Sequence, residues 1–128
     1  MKKDVVFTPK ATKPTAPYSQ AIKVGNVVYL SGVCGDDPQT NEIMGSGDIK
    51  IETKYAMENL RNTVEAAGGT IDDIVKVNVY INDINKMSDF NEIYVNYFTS
   101  ELPARIAMQV AAFAGGANLE IDAVAIIS

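Results

Sequence analysis

The stretch VKVNVYIN, residues 75–82, alternates apolar and polar side chains without a break, and it lies between two segments whose apolar residues recur at helical spacing. A two-residue period places Val75, Val77, Val79 and Ile81 on one face of a strand and Lys76, Asn78, Tyr80 and Asn82 on the other. The first face is expected in a core and the second partly in water. Upstream, from about Ile49 to Ala67, the residues Ala56, Leu60, Thr63, Val64 and Ala67 share one helical stripe, and Gly68-Gly69 supplies a stop. Downstream, Ser88 is the expected N-cap of a second helix carrying Phe90, Ile93, Tyr94, Tyr97 and Phe98 on a single stripe.

The remaining segments read as more strands. Val5-Val6-Phe7 is a short candidate; TPKATKPTAPYSQ holds Pro9, Pro14 and Pro17 and is expected as an ordered loop ending at Tyr18. AIKVGNVVYLSG reads as a hairpin about Gly25-Asn26. The Gly- and Asp-rich run VCGDDPQTNEIMGSGD is a loop, and Leu102-Pro103 breaks the second helix ahead of RIAMQVAA and LEIDAVAIIS, two closing strands joined by FAGGAN. The order strand pair, helix, strand, helix, strand pair predicts an α+β domain within the broad α/β class: one sheet with both helices packed on one face.

At 128 residues the chain suits one domain over residues 1–128, with enough surface to bury for a core that needs no staples. Cys34 is the only cysteine, which excludes an internal disulfide and a cysteine metal cluster and suits a reducing compartment, so a cytoplasmic location is expected. MKKDVVFTPK has no apolar run of signal-peptide length, and no segment reaches membrane-spanning length. The net charge of −5, with scattered lysines, disfavours nucleic acid as a partner. Histidine is absent, which removes the commonest general base and the usual Ser-His and Cys-His pairs. Chemistry here must run on carboxylates, tyrosines, lysines, arginine, backbone groups and water. Gly45-Ser46-Gly47 lacks the lysine and spacing of a phosphate loop, and Asp36-Asp37 and Asp72-Asp73 read as turn and helix-start residues rather than cation ligands, so neither metal nor cofactor is expected.

Two residues stand out. Arg105, one of only two arginines, sits among Leu, Ala, Ile, Met and Val. Its planar fork of donors matches a carboxylate through two parallel hydrogen bonds, so it reads as the anchor for a small acid, as half of an internal ion pair, or as an exposed residue at a strand end. Glu120 shares a strand face with Asp122, Val124 and Ile126; if that face is covered, its carboxyl is paired or raised in pKa, and a raised pKa suits a general base. Tyr18, Ser31 and Asn91 are polar residues placed to orient a small ligand. If residues 106–112 and 119–127 form a plain antiparallel hairpin, Arg105 lies near residue 126 and Glu120 about 20 Å along the ladder, too far to share a small substrate. Either the connection is irregular, or Arg105 of one subunit faces Glu120 of a neighbour.

The segments APYSQAIKVGNVVYLSG, NLRNTVEAAGGTIDDIVKVNVYIND, FNEIYVNYF and PARIAMQV…LEIDAVAI resemble the Rid/YjgF family of reactive-intermediate deaminases over almost the whole chain. The resemblance implies a chorismate-mutase-like fold with a mixed sheet, a homotrimer and three clefts between subunits. It implies that Arg105 holds the carboxylate of a 2-imino acid or its enamine tautomer, with a small 2-imino or 2-keto acid as partner, that Glu120 positions or activates water, and that Tyr18, Ser31, Gly32 and Asn91 line the cleft. Two positions depart from the family pattern: Ala107 stands where many members have cysteine, and Val33-Cys34-Gly35 where a Gln-Ile-Pro-like run is common. The expected reaction is hydrolysis of 2-iminopropanoate or 2-iminobutanoate to the keto acid and ammonia, with Arg105, Glu120 and Tyr18 as its catalytic residues and Ser31, Gly32, Asn91 and Ala107 around the substrate. The alternative is a non-catalytic trimer that binds small carboxylates or proteins. A ribonuclease, the family's older label, is disfavoured by charge and by the missing histidine, and a chorismate mutase by the shortage of cations.

Overall fold

The computed structural model describes residues 1–128. Six strands form one sheet: β1 (Asp4–Val6), β2 (Ala21–Val24), β3 (Val27–Val33), β4 (Ile74–Ile81), β5 (Ala104–Gln109) and β6 (Leu119–Ile126), in the order β1-β2-β3-β6-β4-β5. All pairings are antiparallel except β4–β5, so the sheet is mixed. Helices α1 (Ile49–Ala66) and α2 (Met87–Tyr94) pack together on one face, as the alternation of periods implies. No helix is long and apolar enough to cross a membrane.

Local sequence accounts for most of these boundaries. Gly25, at φ +60°, supplies the left-handed backbone that lets β2 turn directly into β3 with Val24 opposite Val27. Asp48 caps α1 by accepting from the amides of Lys50 and Ile51. The α1 stripe of Ala56, Met57, Leu60 and Val64 then meets Val28, Val77, Val79, Leu119 and Ile121 from the sheet, all fully buried. The proline loop is held from within by Gln20, whose amide accepts from the Thr8 amide (2.7 Å) and donates to the carbonyls of Thr8 (3.0 Å) and Thr12 (2.8 Å).

Four expectations need correction. The first strand is Asp4–Val6, and Phe7 lies outside it, exposed. Val75 is not a core residue. A bulge pairs Ile74 with Ala125 and Lys76 with Val124, so Val75 is the unpaired extra residue and Ile74 takes the core position. The continuous alternation conceals this, because the phase change falls at its first residue and leaves the rest intact. Ser88 does not cap α2. A 3-10 turn, Ile84–Lys86, capped by Asp83 through the Asn85 amide, runs straight into the helix and places Ser88 inside its first turn. Finally, β5 and β6 do not pair with each other. β4, α2 and β5 form a βαβ unit that sends β5 to the edge, parallel to β4, and the chain then crosses back to insert β6 between β3 and β4.

Candidate active site in two halves

In β5, Arg105 lies opposite Val77 of β4, a fully buried core residue, so its side chain projects toward the helices. There the guanidinium carbon stands 5.0 Å from the ring centroid of Tyr94 and 5.8 Å from that of Phe90, both on α2. The chain's three ion pairs, Lys2–Asp4, Lys50–Glu92 and Arg61–Glu58, leave Arg105 without a carboxylate. The internal ion pair that the sequence left open is therefore not what this arginine makes. It lines an open pocket of about 310 Å³ with Asn91, Tyr94, Val95, Leu102 and Pro103. Buried polar atoms of Asn91 (Oδ1) and Tyr94 (OH) have no hydrogen-bond partner beside it. Ala107, two residues along and opposite Val79, packs on the same side against the core.

Glu120 is paired with Tyr80 between the buried residues Leu119 and Ile121, so it points to the opposite, helix-free face. Two carboxylates share that face, and they differ. Asp122 is engaged by the Asn78 amide (2.7 Å) and the Tyr80 hydroxyl (3.2 Å). Glu120 has only the Cys34 thiol, at 3.7 Å from Oε1. It rests on Gly32, where an added Cβ would come within 2.8 Å of the Glu120 carboxyl carbon. Partial burial pushes the Glu120 carboxyl above the usual carboxylate range and nearby Asp122 adds to the rise, while the thiol opposes it.

Around Glu120, a depression of about 320 Å³ is lined by Tyr18, Ser31 and Gly32. Ser31 ties the proline loop to β3: its hydroxyl donates to the Ser19 carbonyl (2.6 Å) and its amide to the Gln20 carbonyl (2.9 Å). That fixes the base of the loop presenting Tyr18, whose phenol burial pushes up, helped by Cys34, Asp36 and Glu120. The expected site residues thus divide into two groups, Arg105, Asn91 and Ala107 on the helix side and Tyr18, Ser31, Gly32 and Glu120 on the open side.

Within one chain these groups do not meet. Val77 pairs with both Arg105 and Ala123, so Arg105 and Glu120 are two strands apart and three residues out of step, about 14 Å in the sheet plane at ordinary strand spacings. They also leave opposite faces. The 20 Å ladder expected from a β5–β6 hairpin is replaced by a stricter separation, with the sheet itself between the two groups. Two contributors went unforeseen. Tyr94 belongs to the aromatic stripe read as core, three residues after Asn91, and Cys34 reaches Glu120 across 86 positions, with no local pattern to announce it.

A match to the sequence profile of the family described as Endoribonuclease L-PSP covers residues 8–127. The chain belongs to this family, the Rid/YjgF proteins. Among its Rid relatives, a RutC family protein of Pyrococcus abyssi is 46% identical over 125 residues, 98% of either chain. The protein of Homo sapiens named 2-iminobutanoate/2-iminopropanoate deaminase is 43% identical over 122 residues, covering 95% of this chain and 88% of the human one. Of the solved Rid structures, E. coli TdcF with bound serine superposes with a TM-score of 0.93 at 33% identity, over 98% of this chain and 100% of that one.

Proposed function

We propose that the chain hydrolyses small 2-imino acids to 2-keto acids and ammonia, in a site that two neighbouring subunits of a cyclic homotrimer complete. The observation that carries this reading is the unpaired guanidinium of Arg105, backed by the rings of Phe90 and Tyr94 and lining a pocket. A cation held so, without an internal partner, is suited to an external carboxylate. The deaminase name carried by the human relative and the serine bound to E. coli TdcF support a small amino-acid-like substrate.

The two-faced placement of Arg105 and Glu120 is what calls for a neighbour. The edge strand β5 exposes Ile106 and Met108, and the helix-free face exposes Tyr29 and Ile126. An edge of one subunit set against the open face of the next is a heterologous contact, which closes into a ring when repeated. Such a ring brings Arg105 of one subunit toward Tyr18, Ser31, Gly32 and Glu120 of the next; the resemblance to Rid proteins supports a three-membered ring.

In that cleft the Arg105 fork binds the substrate carboxylate and sets the orientation of the imine carbon. Ionised Glu120 takes a proton from water as the oxygen adds to the C=N carbon; the nitrogen gains a proton, and collapse of the carbinolamine releases ammonia and the keto acid. Tyr18 stands in the depression to hydrogen-bond the substrate or pass a proton. The lone cysteine and the acidic balance suit a cytoplasmic setting, where imines from amino-acid dehydratases or oxidases arise. The test generates the imine with such an enzyme and follows keto-acid release with wild type and Arg105→Ala. Acceleration by wild type alone is expected; binding of 2-ketobutyrate with turnover at background would instead favour a carboxylate-binding module.

A further inference from the structure

Glu120 is the proposed base, yet one of its two carboxyl oxygens is already occupied. The Cys34 thiol lies 3.7 Å from Oε1, within reach for a sulfur donor. Oε2 lies over Gly32, where an added Cβ would come within 3.0 Å of it, and Gly32 lines the depression together with Tyr18, Ser31 and Glu120. The carboxylate is thus seated on a backbone that has no side chain and steered from one end by sulfur.

The thiol is itself held. Its residue leaves β3 into a loop that α1 fixes from below: the buried Asn59 amide donates to the carbonyls of Cys34 and Asp36, 3.0 Å each, and reaches Asp36 Oδ1 at 3.3 Å. The next residue, Gly35, presses so closely on α1 that a Cβ would come within 2.2 Å of the Glu52 carbonyl oxygen. No sliding of this loop past the helix is open to it. Burial, with the neighbouring carboxylates of Glu120 and Asp36, pushes the thiol up to about 12, so at neutral pH it is a proton donor and not a nucleophile.

We propose that Cys34 is a positioning residue, whose thiol holds Oε1 of Glu120 and leaves Oε2 as the oxygen that receives the proton from water. This rests on the reading of Glu120 as the base. The groups facing Glu120 are the Cys34 thiol beyond β3, Tyr18 from the proline loop, Tyr80 from β4 and Asp122 from β6; Asp36 and Glu52 stand behind the thiol. Of these, Cys34 alone gives Glu120 a hydrogen bond, which favours the ionised carboxylate. Its loss delays ionisation and moves the acid limb of the rate profile to higher pH.

The experiment titrates the Glu120 carboxyl carbon by NMR in the intact protein, for wild type, Cys34→Ala, Cys34→Val and Cys34→Ser, and records kcat/KM against pH for each. The alanine variant keeps space, the valine variant keeps burial, and the serine variant keeps a donor. An upward displacement of about one pH unit in the Ala and Val variants, with Ser at or below wild type, is expected. Ala and Val titrating with wild type, or Ser moving with them, overturns the proposal. Because the NMR titration needs no turnover, wild type without imine hydrolysis but with the displaced titration contradicts the proposed function and leaves the Cys34–Glu120 coupling established.

Discussion

The two halves of the site are built in opposite ways. The Arg105 pocket comes from one continuous stretch, residues 91–105: α2 supplies Asn91 and Tyr94, the turn supplies Leu102 and Pro103, and β5 supplies the arginine. The Glu120 depression gathers Tyr18, Ser31, Gly32 and Cys34 from the first third of the chain around a glutamate near its end. One half is a local βαβ unit that displays a cation against aromatic rings. The other depends on the whole antiparallel register, on Gly32 and on a pinned loop. A substrate-binding cation tolerates some mobility, since a guanidinium swings on a long stem; a base acting on water needs its oxygen placed within a fraction of an ångström. On the proposed roles, the more precise task falls to the half with the more constrained surroundings.

That contrast can be broken or sharpened by substitution. Arg105→Ala should have the largest effect, a fall in kcat/KM of about 100- to 1,000-fold, because a bidentate, charge-assisted contact is lost. Glu120→Gln should lower kcat by about 100-fold with little change in keto-acid affinity, since it removes a base and keeps the shape. Steady-state kinetics combined with 2-ketobutyrate titration separates the two. Gly32→Ala should cost about tenfold in kcat while carboxylate binding survives, because the new Cβ meets the Glu120 carboxyl at 2.8 Å and displaces it. An equal loss of affinity in that variant would erase the division of labour.

The smallest effect is on stability. The folded chain holds the Glu120 proton above its ordinary range, so between that range and the raised value the folded state binds more protons than the unfolded one. Stability contributed by the protonated form is therefore lost as pH rises through this window. Glu120→Gln should unfold with wild type at pH near 4 and about 1–3 °C higher at neutral pH, a modest gain because the carboxyl is only half-buried. Thermal melts at the two pH values check both the sign and the size.

Legibility in the sequence follows the same divide. Helix α1 and the Gly25-Asn26 hairpin are local patterns and form as their spacing implies, whereas of the aromatic stripe only Phe90, Ile93 and Tyr94 lie on α2: Tyr97 falls in the 3-10 turn Val95–Tyr97 and Phe98 is extended beyond it. Where strands pair is not local. RIAMQVAA and LEIDAVAI are neighbours in sequence with a glycine turn between them, which favours a hairpin; the apolar face of α2 instead carries β5 to the far side of β4, and β6 fills the slot beside β3. The Val75 bulge hides for a related reason, since an extra residue at a strand's start leaves the later alternation intact. Arg105 and Glu120 were visible as chemistry out of place among apolar neighbours. Their separation by the sheet, and the contact from Cys34, required the register.

The claim on which all of this depends is that a working site takes its arginine from one subunit and its glutamate from another. It is tested most directly by unfolding Arg105→Ala and Glu120→Gln proteins together, refolding the equal mixture and measuring imine hydrolysis. In randomly mixed rings about one quarter of the interfaces pair an intact Arg105 with an intact Glu120, so activity should return to about that fraction of wild type from two inactive parents. A refolded mixture no more active than its parents would show that both residues must come from the same chain, and would contradict the account.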